Sequence, residues 1–148
     1  MKNKSENINV WFYLEEYEDY DNEILEIVSK VFKSGKLILG NNVKEFEENF
    51  SKWLGSKYGT GVGNGTDAIK LALLALEIGK DDEVITVSNT AVPTISAIVE
   101  TGAKPVFCDV TEKDYNISVE AIEELITKKT KAIVCVPVSY THLRAHET

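Results

Sequence analysis

Short apolar runs alternate with helical patterns along most of this chain, and this alternation constrains the fold more than any other feature. The apolar runs are strand-length and cover residues 83–87, 105–110 and 131–137, and the small, β-leaning stretch at 58–62 is a further predicted strand. Apolar side chains at helical spacing fill the intervals, over residues 67–78, 91–101 and 118–126. Because strands that are apolar throughout and separated by helices pack into parallel sheets, the sequence predicts an α/β fold with a mostly parallel sheet covered by helices.

Two further helices are predicted ahead of this alternation. The first begins with Asp21 as its cap and ends at Ser34-Gly35. The second opens at Asn41 or Asn42 and ends at Gly55. Its predicted buried stripe is Val43, Phe46, Phe50, Trp53 and Leu54. An aromatic segment, residues 10–14, is predicted to be extended, and residues 37–40 form an apolar loop.

A glycine-rich turn, residues 63–66, joins the predicted strand at 58–62 to the helix that follows. The first N–H groups of a helix have no internal partner and carry the positive end of the helix dipole. Gly63 and Gly65 allow positive φ, and Thr66 offers a hydroxyl at the predicted N-cap. The turn therefore suits a phosphate. An ordinary strand-to-helix turn, with Asn64 in the left-handed region, has the same composition.

A second polar turn, Ser88–Thr90, follows the next apolar run. Right-handed crossovers bring the carboxyl ends of parallel strands to one edge, where ligands bind in open α/β sheets. Both turns are therefore expected at that edge. Asp109 is expected there as well, either as a functional carboxylate or as a turn residue.

Composition excludes several classes of partner. The 148 residues carry a formal net charge of −8, which argues against nonspecific binding to nucleic acid or to an anionic membrane. The sequence contains no run of 18 apolar residues, so no transmembrane helix is predicted. The polar N-terminus does not resemble a signal peptide. We therefore expect a cytoplasmic protein.

Neither the cysteines nor the histidines predict a metal site. Cys108 and Cys135 each lie in an apolar run, which predicts buried thiols on neighbouring strands rather than a disulfide or a metal pair. His142 and His146 are four residues apart, but no glutamate adjoins His142.

Two stretches, correctly ordered and spaced, carry a family resemblance. They are residues 61–73 (GVGNGTDAIKLAL) and 82–94 (DEVITVSNTAVPT). Supporting matches are residues 34–40 (SGKLILG) ahead of 43–46 (VKEF), residues 102–107 (GAKPVF) and residues 129–134 (KTKAIV). Together they resemble the DegT/DnrJ/EryC1/StrS family of pyridoxal-phosphate-dependent sugar aminotransferases over residues 10–138.

This resemblance implies the truncated large domain of a fold-type-I transferase, with residues 1–138 as its N-terminal part. It implies that Gly65, Thr66 and Asp67 hold the phosphate of pyridoxal 5′-phosphate, mainly through backbone N–H groups and the Thr66 hydroxyl. It also implies that Asn89 and Thr90 line the cofactor pocket. Many members place an aromatic residue in that second turn, whereas this chain has Ala91-Val92.

The implied activity is transfer of an amino group from an amino acid, glutamate by resemblance, to a nucleotide-linked keto-deoxysugar. The turn at Ser88–Thr94 most resembles members that aminate C3, in polysaccharide or glycoside biosynthesis. Full-length members are implied to be homodimers, with residues 37–40 as a contact loop. The alternatives are a regulatory or sensory homologue and a noncatalytic module that binds a phosphorylated ligand.

The resemblance supplies no catalytic residue within this chain. In the family, the lysine that bonds the cofactor and the acid beside the pyridine nitrogen both lie beyond the matching region. We therefore expect the chain to be inactive alone. Residues 139–148 depart from the family pattern, and we expect them to be a sequencing or read-through artefact.

Overall fold

The computed structural model describes residues 13–136, which divide into two compact units between Gly61 and Val62. The first unit contains two helices, α1 (Tyr13–Ser34) and α2 (Asn41–Leu54). The second contains a three-stranded sheet and three helices. The predicted tail at 139–148 and the histidines within it lie outside the described residues.

The first helix extends further towards the N-terminus than predicted. Asp21 lies inside α1 instead of capping it, and Tyr13 and Leu14 are helical rather than extended. The reason is that the acidic stretch before Asp21 contains no glycine or proline, so it continues the helix. Residues 10–12 of the predicted extended segment lie outside the described range. The end of α1 is as predicted, with Gly35 at a φ of 69°.

The prediction that the apolar stripe of α2 is buried is wrong. Its large members are exposed, from 46% for Phe50 to 77% for Trp53. Phe46 and Phe50 stack with ring centroids 5.4 Å apart, and Phe50 lies 5.7 Å from Trp53. The helical pattern and the end at Gly55 are confirmed, with Gly55 at a φ of 70°. Amphipathic spacing thus gave the helix but not the burial of its apolar face.

The second unit is the predicted α/β arrangement. Three strands, β1 (Glu83–Val87), β2 (Lys104–Cys108) and β3 (Thr130–Val134), form a parallel sheet in the order β2-β1-β3. The helices of this unit are α3 (Gly65–Ala75), α4 (Val92–Glu100) and α5 (Val119–Leu125). Ser118 caps α5, and Pro93 lies in the first turn of α4.

Helices cover both faces of this sheet. On one face, Leu73 of α3 and Ile98 of α4 pack with Val84. On the other face, Ile122 of α5 packs with Ile85 and Cys108. Because β1 lies between the other two strands, its side chains from Val84 to Val87 are fully buried. The core of this unit is therefore centred on β1.

Two predictions about the strands are wrong. Residues 58–62 are exposed and form no strand, since two of the five are glycines and no described strand pairs with them. Cys108 is buried as predicted, but Cys135 is exposed just after β3. Cys108 ends β2 and Cys135 follows β3, and these two strands flank β1 on opposite sides rather than neighbouring each other. Within residues 13–136, no helix is long and apolar enough to cross a membrane.

Candidate functional site

The N-cap of α3 is Asn64, not Thr66 as predicted. The Asn64 Oδ1 accepts a hydrogen bond of 2.9 Å from the backbone N–H of Asp67. Gly65, Thr66 and Asp67 are thus the first three residues of the helix, which begins two residues earlier than predicted. Asparagine is a preferred cap because its short side chain can reach the third helical amide.

Close approach, rather than positive φ, accounts for a glycine in this turn. Neither Gly63 nor Gly65 has a positive φ, and the φ of Asn64 is −167°, so these predictions are wrong. The Nδ2 of Asn64 donates a second hydrogen bond, of 2.9 Å, to Oδ2 of Asp67. A Cβ on Gly63 would lie 3.0 Å from that Oδ2, so a larger residue would push against the Asp67 carboxylate.

Two amides at the start of α3 remain available to a ligand. Among residues 13–136, no acceptor faces the N–H of Gly65 or of Thr66, and the Thr66 hydroxyl has no hydrogen-bond partner. A Cβ built on Gly65 meets no atom within 4 Å. Open space therefore adjoins two unpaired donors, a hydroxyl and the positive end of a helix, a combination that fits a phosphate monoester.

Core packing places this turn at the carboxyl edge of the sheet. Ile69, early in α3, packs in the same cluster as Val134, the last residue of β3. Ile78, beyond the end of α3, packs in that cluster with Val84, near the start of β1. The chain leaves α3 at Ala75 and enters β1 at Glu83, on the amino edge of the sheet. α3 therefore runs from the carboxyl edge to the amino edge, so its unpaired amides lie where ligands bind in this class of sheet.

The second predicted turn follows β1 at the same edge. Ser88 and Asn89 are exposed, whereas the half-buried Thr90 pairs its hydroxyl with that of Thr94 at 2.9 Å. Thr94 is 5% exposed, which anchors this end of the turn against the core. α4 packs against α3, so both turns lie on the same side of the sheet. Asn89 is thus free to meet a ligand, while Thr90 is held.

Lys70, on the helix that the glycine-rich turn begins, is engaged in an ion pair. Nζ of Lys70, one turn into α3, lies 2.7 Å from Oε2 of Glu100 on α4. That hydrogen bond, and the charge of Glu100, raise the pKa of Lys70 above its ordinary value. Lys70 consequently joins the two helices. The anion-binding capacity of the turn depends on backbone dipoles rather than on a lysine.

Asp109 behaves as a turn residue in the structure. Its Oδ1 accepts the N–H of the next residue, Val110, at 2.8 Å. Over the described part of the chain, no group of three or more His, Cys, Asp or Glu side chains could hold a metal ion. The site is suited to binding an anion.

The sequence interpretation missed Asn64 and Thr94. The spacing Asn64-x-x-Asp67 is a capping pattern, and it would have identified Asn64 as the cap. No comparable sequence signal marks Thr94, because the spacing Thr90-x-x-x-Thr94 is compatible with many helix starts.

Comparison with known proteins gives a consistent result. The profile of the DegT/DnrJ/EryC1/StrS aminotransferase family matches residues 18–141. A dTDP-3-amino-3,4,6-trideoxy-alpha-D-glucose transaminase from Micromonospora megalomicea subsp. nigra is 52% identical over 125 residues, covering 84% of this chain and 33% of that protein. A pleiotropic regulatory protein from Geobacillus stearothermophilus is 42% identical over 120 residues, covering 81% of this chain and 32% of that protein.

A solved structure agrees with the fold. The crystal structure of NtdA from Bacillus subtilis with bound cofactor PMP superposes with a TM-score of 0.77 and 34% identity. The match covers 79% of this chain and 27% of that one. This chain thus spans about a third of the length of the curated relatives described above.

Proposed function

This chain belongs to the DegT/DnrJ/EryC1/StrS aminotransferase family, and from that premise we propose that it is the phosphate-binding portion of a sugar aminotransferase. The whole protein transfers an amino group from an amino acid, with glutamate as donor, to C3 of a nucleotide-linked keto-deoxysugar in polysaccharide or glycoside biosynthesis. The name of the 52%-identical transaminase, which specifies a 3-amino-trideoxyglucose linked to dTDP, supports this substrate class.

The observation that carries the proposal is the pair of unpaired amides at Gly65 and Thr66. These two N–H groups and the Thr66 hydroxyl would bind the phosphate of pyridoxal 5′-phosphate, and the helix dipole would favour its negative charge. When bound, the cofactor supplies an electron sink for amino transfer. Asn89 and the anchored Thr90 would contact the remainder of the cofactor from the second turn. Ala91 and Val92 supply no ring for stacking.

A binding experiment tests this assignment. The chain should bind pyridoxamine 5′-phosphate more tightly than pyridoxamine, measured by isothermal titration calorimetry. The amine form is used because it cannot condense with surface lysines. Combining Thr66→Ala with Gly65→Val should weaken binding by about 1–3 kcal/mol, because donors are lost and the approach is blocked.

The matched control is Thr127→Ala. The Thr127 hydroxyl bonds Glu83 at the start of β1, on the opposite edge of the sheet, so this variant should bind like the parent chain. Equal affinity for the phosphorylated and unphosphorylated compounds would rule out the phosphate site.

A regulatory role is the second candidate, and the 42%-identical pleiotropic regulatory protein supports it. The two candidates share the phosphate site, so binding cannot separate them. Incubating the whole protein with glutamate and a 3-keto nucleotide sugar separates the two candidates. Formation of the amino sugar supports the transaminase, whereas binding without turnover supports the regulator.

We also propose that the whole protein is cytoplasmic and forms a homodimer. The loop at residues 37–40 supports a subunit contact, because Leu37, Ile38 and Leu39 are exposed, Ile38 to 84%. Analytical ultracentrifugation of the whole protein, with Ile38→Asp as the disrupting variant, checks the oligomeric state.

A further inference from the structure

We propose that Asn64 is a deamidation site of this chain, at which the side-chain amide converts to a carboxylate without an enzyme. Among the 148 residues, Asn64 is the only asparagine that is followed by a glycine. Glycine has no Cβ and so allows the close approach of backbone and side chain that the reaction requires. The modification is a covalent change in the protein itself and requires no ligand.

The reaction joins two groups that are neighbours along the chain. The backbone nitrogen of Gly65 attacks Cγ of Asn64 and loses its proton to the solvent. A bond forms between these two atoms, the bond from Cγ to Nδ2 breaks, and Nδ2 leaves as ammonia. Water then opens the resulting succinimide at either of its carbonyls. The product is an aspartyl or an isoaspartyl residue, and no oxidant or reductant is consumed.

The structure leaves the attacking nitrogen free. Among residues 13–136, no acceptor takes the N–H of Gly65, so no hydrogen bond has to break before this nitrogen reacts. Asn64 and Gly65 are both exposed, which admits water and base. A Cβ built on Gly65 meets no atom within 4 Å, so surrounding atoms do not shield the nitrogen.

Two hydrogen bonds to Asp67 act on the amide in opposite senses. The backbone N–H of Asp67 donates to Oδ1 of Asn64 at 2.9 Å, and it stabilises the negative charge that develops on this oxygen when Cγ is attacked. Nδ2 donates to Oδ2 of Asp67, also at 2.9 Å, and this bond holds the leaving nitrogen. Because that bond must break, the folded chain should react about tenfold more slowly than an unstructured peptide of the same sequence.

Conversion changes the charge of the turn. Aspartate caps a helix about as well as asparagine, but the donor to Asp67 is lost and two carboxylates then face each other. A further consequence rests on the proposed function, because the added negative charge opposes a phosphate at the amides of Gly65 and Thr66. Asn64→Asp, which mimics the aspartyl product, should therefore bind pyridoxamine 5′-phosphate severalfold more weakly than the parent chain.

Peptide mapping by mass spectrometry tests the modification site. The chain is incubated at pH 8, sampled over several days and digested, and isoaspartyl residues are identified with protein isoaspartyl methyltransferase. Position 64 should convert before every other asparagine, including the exposed Asn89. The isoaspartyl form should be among the products, because direct hydrolysis of the amide yields the aspartyl form alone.

Two variants at the neighbouring positions are compared with the parent chain. Gly65→Ala adds a methyl group that obstructs the attack, so conversion should be at least about tenfold slower, and the open space around Gly65 accommodates this group. Thr66→Ala keeps Asn64 next to Gly65 and is the matched control, which should convert at the parent rate. Circular dichroism checks that both variants fold.

The outcomes are distinguishable. Conversion at position 64 that is slowed in Gly65→Ala supports the modification site. No conversion there, earlier conversion of another asparagine, an aspartyl product without isoaspartate, or equal rates in the parent chain and Gly65→Ala would overturn it. Unchanged binding of pyridoxamine 5′-phosphate by Asn64→Asp would instead contradict the proposed phosphate site, because mass spectrometry measures the modification independently of binding.

Discussion

The two units use amphipathic helices in opposite ways. In the second unit, α3, α4 and α5 pack apolar side chains against a sheet whose central strand is fully buried from Val84 to Val87. In the first unit, α1 and α2 show equally clear apolar faces, yet Phe32 is 67% exposed and Trp53 77% exposed. The helices of both units have the same apolar periodicity, but only those of the second unit bury their apolar faces.

This contrast shows that an apolar stripe specifies a helix but not the surface that covers it. Most helical stability in proteins comes from packing of the apolar face rather than from helix propensity. The second unit supplies such a packing surface through its sheet. The first unit therefore depends on local interactions, such as the Lys30–Glu26 ion pair one turn apart on α1.

The largest expected effect comes from truncating the same residue type in each unit. Ile85→Ala, at a fully buried position on β1, should lower the free energy of unfolding by about 2–5 kcal/mol, since it leaves a cavity. Ile38→Ala, at a position 84% exposed, should change it by less than about 0.5 kcal/mol. Urea unfolding followed by far-ultraviolet circular dichroism measures both. Similar losses would contradict the contrast between the units.

A smaller effect is expected where the first unit is well packed. A Cβ on Gly59 would collide with the Ser51 hydroxyl and lie 3.2 Å from the Glu47 carbonyl oxygen. Gly59→Ala should therefore lower the free energy of unfolding by about 1–3 kcal/mol and lower the melting temperature accordingly.

Gly65→Ala in the second unit is the control, because its Cβ meets nothing within 4 Å. Adding Ser51→Ala to Gly59→Ala should restore part of the loss, because it removes the colliding oxygen. Thermal melts of the four chains give the comparison. If the glycine variants at 59 and 65 melt alike, the segment around Gly59 is not held against α2.

The smallest effect is expected at the two thiols of the second unit. Burial, followed by the charge of Asp109, raises the pKa of the Cys108 thiol, whereas Cys135 is exposed. Iodoacetamide at pH 8 should alkylate Cys108 at least roughly tenfold more slowly than Cys135, because the thiolate is the reactive form. Mass spectrometry of timed samples measures the two rates.

The same shift predicts a pH dependence with a defined sign. Because the folded pKa of Cys108 lies above the unfolded value of about 8.5, the unfolded chain loses its proton first as pH rises. The contribution of Cys108 to stability should be constant below about pH 8 and should fall as pH rises further, through the folded pKa. Cys108→Ala should remove this fall, and an unchanged slope in that variant would assign the loss to other groups.

Local chemistry in the sequence predicted several elements well. The bounds of β1 and the helix ends at Gly35 and Gly55 follow from residue types that act within a few positions. The parallel sheet also follows, because continuous apolar runs need cover on both faces.

Features that depend on distant partners were not predictable in this way. A strand at residues 58–62 needs a neighbouring strand to pair with. Burial of Phe46 or Trp53 needs a surface to pack against. The local sequence pattern contains no information about either partner. The candidate site lies between these cases. Its position at the carboxyl edge was predictable from topology, but its true cap, Asn64, depends on side-chain geometry.

The ion pair between Lys70 and Glu100 has a consequence for the geometry of the carboxyl edge. It joins Lys70, in the middle of α3, to the last residue of α4. A lateral shift of α3 relative to α4 would have to break this ion pair. The distance between the two helices that carry the candidate turns is therefore partly set by this ion pair, which itself contacts neither turn.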